Sequence, residues 1–163
     1  MKNGNTPVDL QDAIISELND LFIGDSFKDT DGGQKKIAVY PQDLPIPETN
    51  DDADASVVSV PYAIVRISQG EISEASSIAE TDIVIVLCVY DDKNNKQAYR
   101  DVLHIINKIQ QRFMTIPNIG NFRFKTPFEW ALQDNNETFP FFFGAVKMTF
   151  ETATSFVVED DFA

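Results

Sequence analysis

Enzymatic chemistry needs nucleophiles, acids, bases or metal ligands that converge, and the residue types that could supply them are scarce in this chain. His104 is its only histidine and Cys88 its only cysteine. A Ser-His-Asp system or a metal centre would have to be built around that single imidazole. His104 lies between Leu103 and Ile105 in a helical pattern, which predicts a surface or helix-packing role. Cys88 lies between Leu87 and Val89, where a thiol acts as a small hydrophobe and not as a low-pKa nucleophile. The seven glycines form neither Gly-x-x-x-x-Gly-Lys nor Gly-x-Gly-x-x-Gly, the loops that turn backbone amides towards phosphate. Asp29, Asp31 and Gly32 resemble part of a calcium loop, but its first and twelfth positions fall on Phe27 and Ala38, which offer no side-chain oxygen. Asn136-Glu137-Thr138 fits the glycosylation pattern, but the first residues predict no secretory signal and the match is expected to be chance. The acid pairs Asp51-Asp52 and Asp91-Asp92 are sequence neighbours, which point to opposite faces on a strand and are solvated in a loop. No catalytic, cofactor-binding or metal-ligating residue is assigned, and no enzyme is expected.

The elements that must position these groups follow from size and patterning. The 163 residues match one domain, 43% hydrophobic and 11% aromatic, which is enough to build a core without disulfides or metal. Acidic residues outnumber basic ones 26 to 13, giving a formal net charge of −13. That balance disfavours tight binding to nucleic acid or to an anionic membrane surface, because both depend on basic groups. No apolar run approaches the roughly 20 residues of a membrane span, and the first residues predict synthesis and residence in a cytoplasm.

Thr6 and Pro7 read as the cap and first position of a helix whose buried stripe is Leu10, Ile14, Leu18 and Leu21, with Gly24 placed to end it in the left-handed conformation. Asp25 to Gln34 reads as turns, and Lys36 to Tyr40 as a short strand. Pro41 to Asp54 contains three prolines and the acids Glu48, Asp51, Asp52 and Asp54, and reads as a solvated loop. Ser56 to Ser68 reads as a strand held to an edge or a bulge by Pro61, and Ile83 to Tyr90 as a central strand covered on both faces. The polar residues between them, among them Glu71, Glu74 and Glu80, suggest an antiparallel hairpin with a long tip over Gln69 to Thr81. A second helix is capped by Asn94-Asn95, carries Tyr99, Val102, Ile106, Ile109 and Phe113 on one side, and is closed by Pro117 and Gly120. Phe122 to Leu132 and Pro140 to Thr152 form a last hairpin, with Phe142, Val146, Met148 and Phe150 sharing a parity with Gly144 while Lys147, Thr149 and Glu151 take the wet face. The result is an α+β domain spanning 1–163: a single mixed, mainly antiparallel sheet packed with two main helices, an acidic loop at 41–55 and a short acidic tail at Glu159-Asp160-Asp161.

From Val60 to Thr152 the chain resembles the tail terminator, or tail completion, proteins of long-tailed bacteriophages and phage-tail-like particles. The residues that carry the likeness are Pro61-Tyr62-Ala63-Ile64-Val65-Arg66 leading to Gly70, the strand Ile83 to Tyr90 ending in Asp91-Asp92, and Tyr99-Arg100-Asp101-Val102-Leu103 opening a helix that runs to Arg112-Phe113. Gly120-Asn121-Phe122 and Pro140-Phe141-Phe142-Phe143-Gly144 complete it. The resemblance implies a non-enzymatic virion protein, made in the host cytoplasm, that forms a homo-hexameric ring on the head-proximal end of the tail tube. Its implied partners are further copies of itself, the tube protein, a head-tail connector or neck protein, and the sheath protein in a contractile tail. Under that reading Glu48, Asp51, Asp52, Asp54, Glu71, Glu74 and Glu80 are candidate assembly or channel contacts. A neck or head-completion protein is the nearest alternative; a small ligand-binding domain or enzyme with a pocket at the Phe-rich strand Phe139 to Phe143 is the alternative from another class.

Overall fold

The computed structural model describes residues 4–45, 59–74, 78–93 and 95–153. Helix α1 spans Pro7–Leu21 and is started by a reciprocal cap: the Asp9 amide donates to Thr6 Oγ1 at 3.2 Å and the Thr6 amide donates to Asp9 Oδ2 at 3.0 Å. Leu10, Ile14 and Leu18 form the buried stripe as the spacing predicts, but Phe22, and not the half-buried Leu21, completes it. Gly24 does not take the left-handed conformation expected of it; the helix ends at Phe22, whose amide bonds back to Leu18 O. Asp25 to Gln34 is more regular than its turn residues suggest. Strands β1, Phe27–Lys28, and β2, Gln34–Lys35, pair around Asp29, whose Oδ1 accepts from the Asp31 amide at 2.6 Å, and around Gly32 at φ 83°.

The remaining strands are β3 Ala38–Pro41, β4 Tyr62–Ile72, β5 Ile78–Tyr90, β6 Asn118–Ile119, β7 Phe122–Leu132 and β8 Phe141–Ala153. They make one six-stranded sheet in the order β3-β4-β5-β8-β7-β6, antiparallel except where β3 runs parallel to β4. This is the expected α+β architecture of one mixed, mainly antiparallel sheet with two main helices, to which the β1–β2 hairpin is added. Two readings of the β4–β5 region change. Pro61 precedes the strand instead of interrupting it, and the irregular register falls between Ile67 and Gln69. The Gln69 to Thr81 stretch is mostly paired strand, because its polar residues alternate across a sheet face and pairing satisfies their backbones.

Helix α2 spans Ala98–Thr115, with Gln97 and not an asparagine at its N-cap; Asn95 instead accepts from the Gln97 amide at 3.2 Å, and Asn94 lies outside the described residues. Val102, Ile105, Ile106, Ile109 and Phe113 are buried, while Tyr99 stays at the surface beyond the sheet contact. Both helices cover the same sheet face: α1 lies on β3 and β4, and α2 on β5, β7 and β8. They bury Val65, Ile83, Ile85, Leu87, Val146, Met148 and Phe150, and Phe113 meets Phe150 edge-on at 5.4 Å. Lys108 joins the helices by donating to Leu21 O at 3.1 Å and to Asp25 Oδ2 at 2.6 Å, and Arg112 pairs with Glu17.

Ile83 to Tyr90 is central as expected; among the described residues its second face carries no helix and is covered at the Cys88 end by side chains, with Val84 and Val86 half-buried. Cys88 lies there with Val60, Tyr62 and Ile64 in a second, smaller cluster closed by Leu44, Tyr40 and Phe143. At the sheet edge the Gln42 side chain takes a strand's place: its Oε1 accepts from the Ile67 amide at 3.0 Å and its Nε2 donates to Ile67 O at 3.1 Å. Buried Gln11 donates to Gln42 Oε1 at 2.9 Å and to Val65 O at 2.8 Å, tying α1 to the same edge.

Gly144 sets the spacing between α2 and the sheet, since a Cβ there would lie 2.5 Å from Val102 Cγ1 and 3.3 Å from Ala131 O. A branched side chain fixed on a helix cannot swing clear of such a contact. Gly144→Ala should therefore lower stability by about 1–3 kcal/mol in urea unfolding, and Val102→Ala in the same chain should return part of that loss.

Candidate functional site

The alternation that sends Ile83, Ile85 and Leu87 under the helices sends Glu80, Asp82 and Val84 to the open face. Register then sets charges side by side. Glu71 on β4 lies opposite Glu80 on β5, Glu80 opposite Glu151 on β8, and Glu151 opposite Arg123 on β7. The next rung is Gln69, Asp82, Thr149 and Lys125. Three carboxylates in one rung repel one another unless cations intervene. Lys125 provides the closest, with Nζ 2.6 Å from Glu80 Oε1. Its own pKa is raised chiefly by the hydrogen bond and the charge of Glu80, against an opposing effect of desolvation, with lesser contributions from Glu151 and Glu71. Burial would push Asp82 up, yet hydrogen bonds from Thr149 Oγ1 at 2.6 Å and Gln69 Nε2 at 2.8 Å, with the nearby Lys147 charge, hold its carboxyl below the usual range.

Of the residues singled out in the sequence, Glu71 and Glu80 are brought together and Glu74 lies just past the end of β4 at the exposed hairpin tip. Glu48, Asp51, Asp52 and Asp54 lie outside the described residues, as does the acidic tail. Sequence reasoning missed Asp82, Glu151, Arg123 and Lys125. Period-two alternation already placed Glu151 on the wet face; the cross-strand register that joins it to Glu80 was not legible. Glu129 and Lys147 extend the same ladder, so this face carries both signs of charge and is not uniformly acidic.

A second cluster of chemical groups lies at the opposite end of β5. Asp91 is buried, not solvated as its sequence context suggests, and Lys28 Nζ stands 3.8 Å from it while pairing with exposed Asp92. A polar cleft of about 460 Å³ runs from there to Asp101 and His104. His104 is half exposed, its Nε2 3.6 Å from Asp25 Oδ1, which agrees with a surface role. The Lys108 hydrogen bond dominates Asp25 and lowers its pKa against burial. Beside the cleft, Phe139, Phe141, Phe142 and Tyr99 line a largely apolar cavity of about 200 Å³. The Phe-rich start of β8 thus does form a pocket. Cys88 is 1% exposed, and burial pushes its thiol up to about 11, the opposite of nucleophile activation.

No group of three or more His, Cys, Asp or Glu among the described residues is arranged to hold a metal ion, and no helix there is long and apolar enough to cross a membrane. A comparison with protein-family models finds no family that matches the chain, and a comparison with curated proteins finds no relative.

Asp101 gives the cleft a measurable pH signature. Burial raises its pKa from the ordinary 3.8, and the Asp91 charge adds to the rise, against the Gln97 hydrogen bond and His104. The folded state then holds this proton more tightly than the unfolded chain, so stability declines as pH rises from 3.8 through the raised value and stays reduced above it. Asp101→Asn should raise the thermal midpoint at neutral pH by less than the roughly 2–4 °C that 1 kcal/mol brings in a chain of this size, because the site is only partly buried. Scanning calorimetry should show that gain vanishing as the pH falls to 3.8.

Proposed function

We propose that this chain is a structural ring subunit of a phage tail or phage-tail-like particle, a tail terminator that caps the head-proximal end of the tube, stops its growth and offers a surface to the head or connector. The observation that carries the reading is the helix-free charged half of the sheet. Strands β4, β5, β7 and β8 present ordered rungs of acids and bases there, with no helix of the described residues above them. An ordered face of alternating charge suits contact with a neighbouring subunit or a lumen, and the likeness over Val60 to Thr152 points to the same setting. Its partners would be further copies of the chain, the tube protein, the connector or neck protein, and sheath protein in a contractile tail. The aromatic cavity at Phe139 to Phe142 supports the second reading, a small ligand-binding domain.

Light scattering separates the two. A closed ring, either alone or on added tail tubes, is the expected result, since head-to-tail contacts close into rings or run on as filaments. A monomer in both settings that binds small aromatic ligands saturably would favour the pocket.

If the ladder faces the channel, its carboxylates let a genome pass without the counterion release that would hold it. Glu71→Lys, Glu80→Lys and Glu151→Lys together should create salt-sensitive DNA binding, with a log–log salt slope growing by roughly 0.9 per phosphate engaged, and slow ejection from assembled particles. Unchanged ejection from normally assembled particles would place the ladder away from the lumen.

A further inference from the structure

The aromatic cavity has a rim of unusual character for a chain of net charge −13: two exposed ammonium groups, Lys93 and Lys96, stand on it against one carboxylate, that of Asp91, which is buried and has Lys28 3.8 Å away. Neither forms an ion pair among the described residues, whereas Lys28, Lys35, Lys108 and Lys125 all do. Lys93 does act on Asp92, but Lys28 is already paired with that carboxylate. Phe139, 55% exposed, and Tyr99, 36% exposed, leave apolar surface open beside these charges. A group that fills this site should combine an aromatic ring with adjacent carboxylates.

The chain carries that combination once outside the described residues, in Glu159-Asp160-Asp161-Phe162. Reach decides which copy's tail can use the cavity. Ala153 ends β8 and Phe141, at the cavity, begins it, so the two are separated by a 13-residue strand of roughly 40 Å. The nine residues from Ala153 to Phe162 span at most about 32 Å when fully extended. The tail therefore stops short of its own cavity.

We propose that the segment 159–162 of one copy docks in the aromatic cavity of another, with Phe162 in the pocket and Asp160 and Asp161 against Lys93 and Lys96. Donor and acceptor are different surfaces at opposite ends of β8, so the contact can run head-to-tail from copy to copy and close a ring. It involves only copies of this chain and stands independently of the phage-tail reading.

Cys88 is 1% exposed and stays silent in disulfide trapping, so single cysteines can be introduced against it. Lys96→Cys protein mixed with Asp161→Cys protein under mild oxidation should give a mixed disulfide dimer, and the double variant a ladder of larger species. Sedimentation velocity supplies the second measurement. Lys93→Glu with Lys96→Glu should raise the concentration for half-association at least tenfold with unchanged thermal stability, and Asp160→Lys with Asp161→Lys added in the same chain should restore it. An intramolecular disulfide in the double variant, no disulfide in either sample, or association indifferent to the lysine reversal would each overturn the proposal.

Discussion

Two helices must cover a six-stranded sheet, and the contact between Val102 and Gly144 determines how closely the second of them can lie. With no side chain at Gly144, α2 settles onto β8 and brings Ile105, Ile106, Ile109 and Phe113 into the layer occupied by Met148 and Phe150. Among the described residues both helices pack on one face, which holds the main core, while the other is left to loops, side chains and solvent. The electrostatics inherit this partition. Charges on the helix side had to be neutralised at the margins, as by Lys108 with Asp25 and Arg112 with Glu17, while those on the open side remained in rungs.

Legibility in the sequence followed the range of the forces involved. Local effects read well: the Thr6 cap, the Leu10-Ile14-Leu18 stripe and the alternation of Val146, Met148 and Phe150 against Lys147, Thr149 and Glu151 depend on neighbours within a few residues. Signals whose meaning depends on tertiary context read poorly. Gly24 looked like a helix stop, but Phe22 had a core to enter and ended α1 first. The polar run around Glu71 and Glu80 looked like a loop because the alternation was polar on one side and weakly apolar on the other; it stays extended through the pairing of β4 with β5 and of β5 with β8. Asp91 looked like a solvated acid; in the fold it is buried, accepting from the Lys93 amide at 3.0 Å, with Lys28, more than sixty positions earlier, 3.8 Å away.

The candidate surfaces were less legible than the fold for the same reason. Glu71 and Glu80 could be named as acids on one polar excursion, but their register with Glu151, Arg123 and Lys125 is a property of the assembled sheet. The aromatic cavity shows the converse. Its phenylalanines were conspicuous, yet Lys93, Lys96 and Tyr99, which give it chemical character, come from the segment leading into α2 and from that helix's first turn.

Gln42 carries a consequence for crowded conditions. A bare strand edge is a template on which another chain can add, and copies held at high local concentration would meet such edges often. By lending its amide to Ile67, Gln42 occupies the position a foreign strand would need first, and Gln11 locks that amide from below. It does so from a left-handed backbone at φ 67°, a conformation few side chains tolerate, so the plug is held at some conformational expense. Proximity can then be used for specific side-chain recognition between subunits without inviting fibrous growth from that edge.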